Sequence, residues 1–290
     1  MDYKSVLYKK ERNTATITLN RPEKLNTWDF PNQGGLSDDF YAALQETEED
    51  DDIKLVIING SGRSFSAGHD LTTVGNVYGM GTGKPGEKRV PQRKRLKVDR
   101  DWWWGRVMKL LYHPKITLCQ VHGYCLGEGL TLVEMSDITI ASDDAMFGHT
   151  EQRLGFAGAG GPMIPLMLKV GLGRARELLL TGRMFPAEEA ERVGLIAKVV
   201  PRDKLEDEVK KMAETLCLLP KDGIAIGKAG LHQMYDSLGL TSSFINGYIM
   251  HTLFTNLVYD KGEWIFFKDR RDKGVKAAFM EKDKRYEGLV

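Results

Sequence analysis

The sequence is poor in the features that mark special classes of protein. It has 3 cysteines in 290 residues, at Cys119, Cys125 and Cys217. These are too few for a disulfide framework, and no histidine follows Cys119 and Cys125 at zinc-finger spacing. They read as buried, reduced thiols. No apolar run approaches the roughly 18 residues of a membrane-spanning helix. Charge of one sign is missing too: 41 Lys+Arg against 40 Asp+Glu leave +1. That removes the whole-chain electrostatic argument for nucleic acid or an anionic membrane as partner, so neither is expected. Met1-Asp2-Tyr3-Lys4 has neither a signal peptide's apolar stretch nor an Arg-rich, acid-free presequence, which makes the cytoplasm the expected location. The glycine-rich turns lack both the G-x-G-x-x-G layout and a Walker-type lysine, so nucleotide-binding readings fall.

An ordinary soluble composition is present, with 42% hydrophobic and 28% charged residues. It suits one α/β domain with an appendage. Thr14 to Leu19 alternates as a half-buried strand does, and Pro22 follows its end. Ile53 to Ile58, Ile116 to Val121 and Asp137 to Ala141 are strands, the first an unalternated run expected to be buried on both faces. Gly35 to Leu44 is a helix with Ser37 or Asp38 as cap. Strand, turn and helix recur through the N-terminal two-thirds, which predicts a parallel or mixed sheet covered by helices. From Gly173 onward the pattern is mostly helical, including Leu205 to Leu218 and Gly239 to Leu257. These C-terminal helices are expected to pack on the sheet or on a neighbouring subunit. The resulting division is a core over residues 1–200 and a helical region over 201–290.

Residues 72–101 stand apart. They hold Gly75, Gly79, Gly81, Gly83, Gly86, Pro85 and Pro91, and then a basic cluster from Lys84 to Arg100. Such a segment is either a lid or docking surface for a phosphate-bearing ligand, or a solvated loop. Trp102, Trp103 and Trp104 cannot all face one side of a helix, so at least one is expected to reach a pocket or an interface.

Two glycine-bearing turns follow buried strands: Ser64 to Leu71, and His122 to Leu130 running into a helix. Strand ends and helix N-termini present unsatisfied N–H groups, and two such sites converging on one oxygen form an oxyanion hole. The motifs here resemble those of the crotonase (enoyl-CoA hydratase/isomerase) superfamily. Asn20-Arg-Pro-Glu-Lys-Leu-Asn26 is similar to its N-R-P-x-x-x-N segment. Phe65-Ser-Ala-Gly-His-Asp-Leu71 is similar to F-x-A-G-x-D-[IL], and Val121 to Gly129 to V-x-G-x-x-x-G-x-G. Ser136 to Gly148, Glu151, Leu154-Gly155, Glu189 to Leu195 and Val199-Val-Pro201 follow in the family's order.

The resemblance implies a spiral of ββα units with a C-terminal helical trimerisation region, and hence a homotrimer or a dimer of trimers. It implies an acyl-CoA substrate whose thioester carbonyl is held by two backbone N–H groups, carried over to Ala67 and Glu128. No cofactor is implied beyond the coenzyme A of the substrate, and no metal. Family hydratases use two glutamates. The second falls on Glu151, the catalytic candidate; the first falls on Thr131, which cannot serve as a carboxylate. Relatives with one glutamate include enoyl-CoA isomerases and hydroxycinnamoyl-CoA hydratase-lyases. The Trp102–Trp104 segment is locally similar to the latter. Substrate-contacting candidates are Thr131, His69, His149 and Tyr248. The two histidines can titrate near neutrality, or simply be hydrogen-bonded neighbours of the turns. The resemblance carries coenzyme A contacts to Lys24, Leu25, Gly68, Asp70, Leu71, Phe279 and Lys282. The leading expectation is chemistry at the C=C bond of an enoyl-CoA. A thioester or carbon–carbon bond hydrolase stands beside it, and an RNA-binding relative is the reading from another class.

Overall fold

The computed structural model describes residues 2–74, 90–156, 163–254 and 257–289. The chain starts with an antiparallel pair, β1 (Val6–Glu11) and β2 (Thr14–Leu19). Ala15, Ile17 and Leu19 are buried on one face of β2 while the threonines look outward. β1 buries only Val6 and exposes Leu7, as an edge strand does, so it leaves no alternation to read in the sequence. Next come α1 (Leu36–Glu49), β3 (Leu55–Gly60) and α2 (Gln92–Trp102). A single π-turn over Trp103–Val107 joins α2 to α3 (Met108–Leu111). They lead into β4 (Ile116–Val121), β5 (Tyr124–Leu126), α4 (Glu128–Met135), β6 (Ile138–Ser142) and β7 (Met146–Gly148). After a 3-10 turn at Glu151–Leu154 come α5 (Ile164–Val170), α6 (Leu172–Thr181), β8 (Phe185–Pro186), α7 (Ala187–Arg192) and β9 (Lys198–Val200). The rest is helical: α8 (Leu205–Cys217), α9 (Lys221–Ser237), α10 (Leu240–Phe254), α11 (Phe266–Lys273) and α12 (Val275–Tyr286).

Six strands form one sheet in the order β1-β2-β3-β4-β6-β9, parallel throughout except for the first pair. β4 and β6 each continue into a strand of a second, smaller sheet of order β5-β7-β8. Each repeat is therefore strand, strand, helix. β3 is buried on both faces: Val56 and Ile58 pack toward α1, and Leu55 and Ile57 toward α8. That double burial is why its sequence does not alternate. Leu205, Val209 and Ala213 of α8 and Ile224 of α9 complete the second core, so the C-terminal helices share a core with the sheet. A small third cluster joins Leu154 to Phe266, Phe267 and Ala278, with Leu71 packed against it.

Several expectations need correction. Neither Ser37 nor Asp38 caps α1. Gly35 occupies the cap position, and the Leu36 and Ser37 N–H groups donate to the Asp29 carboxylate at 3.0 and 2.9 Å. The acceptor lies upstream in a loop, where helix-start patterns do not look. Residues 92–101 are not an irregular insertion but most of α2, which starts after Pro91. The basic run is not wholly solvated either: Arg95 and Asp99 are buried. His251 and Thr252 of α10 bond Asp99 at 2.9 and 2.6 Å. Residues 75–89, the rest of the expected lid or loop, lie outside the described residues. Trp102 and Trp103 turn inward and Trp104 is exposed. Cys119 and Cys125 are buried, whereas Cys217, at the end of α8, is only half-buried. α9 and the pair α11–α12 had no sequence expectation; Gly223, Gly227 and Gly230 blur the helical period of α9. Among the described residues no helix is long and apolar enough to cross a membrane.

One buried ion pair links the C-terminal helices to the sheet. Lys228 of α9 meets both oxygens of Asp137 at 2.5 and 2.6 Å, and Asp137 also accepts from the Thr117 N–H at 2.8 Å. Lys228→Ala would leave this carboxylate without its counter-charge and should cost about 3–5 kcal/mol. Urea unfolding followed by tryptophan fluorescence measures it. A loss below about 1 kcal/mol would show that the pair behaves as a solvated surface bridge.

Candidate active site

The first turn is held by side chains of the segment between β2 and α1 and by a serine of its own. Asn26 Nδ2 donates to the carbonyls of Ser61, Ser64 and Phe65 at 2.9–3.1 Å, and its Oδ1 accepts from the Arg21 N–H at 2.8 Å. Ser66 Oγ donates to Asn26 O, and accepts from Trp28 Nε1 at 3.0 Å and from the Gly68 N–H at 3.2 Å. The Ser66 backbone pairs with β5, giving its carbonyl to Leu126 and taking that of Tyr124. The two turns are thereby laid side by side. Ser66 sits inside the F-x-A-G-x-D-[IL] motif, but nothing local in the sequence marks it as the organiser of this contact.

The turns meet at their glycines. A Cβ on Gly68 (φ +84°) would lie 2.9 Å from Leu126 O and 3.5 Å from Gly127 Cα. One on Gly127 (φ +50°) would lie 2.9 Å from Glu151 Oε1. Only residues without a side chain allow this approach. The N–H groups around the contact need one correction. Ala67 is not a free donor, because its N–H is spent on Leu25 O at 2.9 Å. Trp28 pairs with the backbone on the other side of His69, taking Asp70 N–H and giving its own N–H to Gly68 O. This leaves the His69 N–H with no acceptor among the described residues. The Glu128 N–H, first in α4, likewise has none, since the Gly127 cap offers no side chain.

The Glu128 carboxyl points into the protein. Its Oε2 accepts from Trp102 Nε1 at 3.2 Å and lies 3.8 Å from His69 Nε2, while Oε1 is buried without a partner among the described residues. Burial pushes its pKa well above the usual carboxylate range, and the nearby Glu151 and Glu134 charges add to that push. His69 is stacked on Phe30 with ring centroids 4.9 Å apart. Burial, helped by His251, lowers its pKa to about 4, so it is neutral at pH 7.

Glu151 opens the 3-10 turn after β7, with its side chain 37% exposed beside the glycine contact. His149 Nδ1 is 3.8 Å from Glu151 Oε2, and His149 Nε2 is 2.8 Å from Glu134 Oε1. Burial opposes the charged form of His149, but Glu134 and then Glu151 outweigh it and hold its pKa well above the ordinary value. Burial would raise the Glu151 pKa; the positive charge of His149, 3.8 Å from Oε2, outweighs it and keeps Glu151 below the ordinary carboxylate value. Glu134 had not been singled out, though it lies one helical turn beyond Thr131 on α4.

The remaining candidates are placed unevenly. The Thr131 hydroxyl is buried and donates back to Gly127 O at 3.3 Å. Lys24 pairs with Asp70 at 3.3 Å; Asp70 also accepts from Thr72. Burial would raise the pKa of Asp70, but these bonds outweigh it. Leu25 contributes its carbonyl to Ala67, and Leu71 O accepts from Arg270 of α11 at 2.6 Å. Phe279 of α12 packs on Phe266 and carries the Lys282 ammonium 5.5 Å from its ring centroid. Through Ala278 and Leu71 the same cluster reaches the first turn. Tyr248 of α10 is half-buried against the main core.

The buried Glu128 carboxyl has a measurable signature. Unfolded, it releases its proton above about 4.5; folded, it keeps it. Unfolding therefore releases a proton in this range, and stability falls as pH rises. Glu128→Gln removes that term. The melting temperature of the variant relative to wild type should rise between pH 5 and pH 8. A difference independent of pH would mean that Glu128 is ionised in the folded protein.

Comparison with known proteins agrees with this architecture. The family model described as enoyl-CoA hydratase/isomerase matches residues 9–284. A probable enoyl-CoA hydratase of Mycobacterium bovis is 29% identical over 270 residues, covering 93% of this chain and 97% of that protein. The 1,2-epoxyphenylacetyl-CoA isomerase of Escherichia coli is 32% identical over 227 residues, covering 78% and 81%. The crystal structure of an enoyl-CoA hydratase/isomerase from Xanthobacter autotrophicus superimposes with a TM-score of 0.81 at 28% identity, covering 99% of this chain and 100% of that one. The crotonase fold read from the motifs is the fold observed. With its matched motifs, its paired glycine turns and these relatives, the chain belongs to the enoyl-CoA hydratase/isomerase family and is an enzyme of that hydratase/isomerase type.

Proposed function

We propose that the enzyme acts on the C=C bond of an enoyl-CoA thioester, by hydration or double-bond migration, with Glu151 as its proton-transferring carboxylate. The observation that carries this is the position of Glu151 Oε1 over Gly127, where the two turns meet. The thioester oxygen is held by the free N–H groups of His69 and Glu128. Proton removal next to a thioester builds negative charge on that oxygen, and two preorganised donors stabilise it as it forms. Glu151 starts ionised, which suits a base that takes a proton from carbon or from an attacking water. Thr131 offers no second carboxylate, and its proton is engaged by its own helix. Lys24, Leu25, Gly68, Asp70 and Leu71 line the first turn. Phe279 and Lys282 sit on the helix whose base packs near it, and together they form the coenzyme A contact. The chemistry needs no group beyond that coenzyme A.

A panel of enoyl-, aryl- and cyclic acyl-CoAs, incubated in H₂O and D₂O and followed by mass spectrometry, tests the reading. Water addition, or deuterium entering an isomerised product, supports it. Release of free coenzyme A alone points to the hydrolase alternative. With the substrate found, Glu151→Gln should lower turnover by at least about 10²-fold while acyl-CoA binding persists. Thr131→Ala should cost roughly 0.5–1.5 kcal/mol, the worth of one hydrogen bond. Near-normal turnover by a folded Glu151→Gln variant removes Glu151 from the mechanism.

The oligomer belongs to the same proposal. Ile226 and Met234 of α9, Leu238 just after it, and Ile249, Met250 and Leu253 of α10 are exposed. An apolar surface of this extent calls for a partner, and a trimer or a dimer of trimers supplies one. Phe244 of α10 is buried in its own chain and takes no part in this face. Light scattering at micromolar concentration should return a multiple of three chain masses; a monomer mass refutes it.

A further inference from the structure

We propose that His149 is a positioning residue for Glu151: lodged between the Glu134 and Glu151 carboxylates, it aims Glu151 at the glycine contact and keeps it ionised from the start of the reaction. The proposal rests on Glu151 being the base and deepens that reading.

Glu134 lies on α4 with its side chain 3% exposed, and His149 leaves β7 with its side chain 10% exposed. Water therefore screens their 2.8 Å bond poorly, and a buried carboxylate there needs a donor. With Nε2–H directed at Glu134, the other ring nitrogen faces Glu151 at 3.8 Å. An imidazolium donates to Glu134 and sets its positive charge 3.8 Å from Glu151 Oε2, an ion-pair contact longer than a hydrogen bond, whereas a neutral ring brings Glu151 no charge. Among the described residues, the titratable groups facing this chain can be named element by element. Glu128 of α4 is close enough to feel the charge of Glu151, and His69 of the first turn faces Glu151. Lys169 of α5 works on Glu134 while its ammonium is bonded to Val133 O and Ser136 O. His69 is neutral, and Glu128 is held protonated. His149 is thus the cation adjacent to Glu151 at pH 7.

The consequence is a division of labour. A family hydratase places a second carboxylate at the position of Thr131. Here Glu134, one turn along the same helix, is a carboxylate that reaches His149 and not the glycine contact. Its charge acts through the imidazole. The proton leaving substrate or water passes to Glu151 and returns from it, while His149 keeps both of its own protons throughout.

Two readouts on the intact protein test this. Nitrogen NMR of the histidine-labelled enzyme should show His149 protonated on both nitrogens at pH 7, and Glu134→Gln should move its titration to lower pH. This arm needs no turnover, so it decides the state of His149 even if no acyl-CoA proves to be a substrate. On the substrate selected by the panel, His149→Gln should lower kcat by at least about tenfold, with KM changed less than about threefold. The acid limb of its kcat/KM profile should move to higher pH, because Glu151 loses the adjacent cation. Glu134→Gln, which preserves the hydrogen bond, should move the limb the same way by less. A neutral His149 at pH 7 overturns the proposal, as does a folded His149→Gln variant whose acid limb stays in place. An active enzyme with an unmoved limb rejects His149 alone; an enzyme indifferent to Glu151→Gln rejects the base itself.

Discussion

The close approach of Gly68 and Gly127 is the constraint on which the rest of this structure depends. A Cβ on Gly68 would lie 2.9 Å from Leu126 O, and Gly68 and Gly127 both hold positive φ (+84° and +50°), so a side chain at either position is strained. Everything that brings the two backbones together therefore has a purpose beyond ordinary packing. Asn26 collects the carbonyls of Ser61, Ser64 and Phe65, and Ser66 stitches the first turn both to Trp28 and to β5. The parallel register of β2, β3 and β4 delivers the strand ends to the same edge. Once they are there, the His69 and Glu128 N–H groups find no acceptor among the described residues, and Glu151 Oε1 lies beside Gly127.

That carboxylate stands in an unusual electrostatic neighbourhood. Glu128 and Glu151 are two acids within reach of two histidines, and burial alone would push both toward the protonated form. The protein separates their states by choice of partner. Glu128, given the Trp102 indole and a neutral His69, keeps its proton. Glu151, given the charged His149, does not. Carboxyl groups driven apart in this way are the arrangement from which acid and base roles are commonly built.

The C-terminal helices serve the site in two ways. α8 and α9 seal the far face of the sheet, with Lys228 closing over Asp137. α11 and α12 come back to Leu71 and Leu154, the last residues of the first turn and of the Glu151 turn. The sheet builds the turns, and the last helices brace them from outside.

The sequence by itself determined the strands with strong burial and the order of the motifs. Strand periodicity and turn glycines are local signals, and they survived folding almost unchanged in β2 and β4. It did not determine which N–H groups stay free. Ala67 and His69 are two residues apart on one turn, and only the pairing of that turn with Leu25 and Trp28 decides which of them is spent. The edge strand β1 and the Asp29 cap of α1 stayed hidden for a similar reason, since exposure and capping there depend on neighbours distant in sequence. The Glu134–His149–Glu151 chain is a tertiary fact in the same sense. Its members come from a helix, a strand end and a turn, each unremarkable alone, and charge coupling arises only when folding removes the water between them.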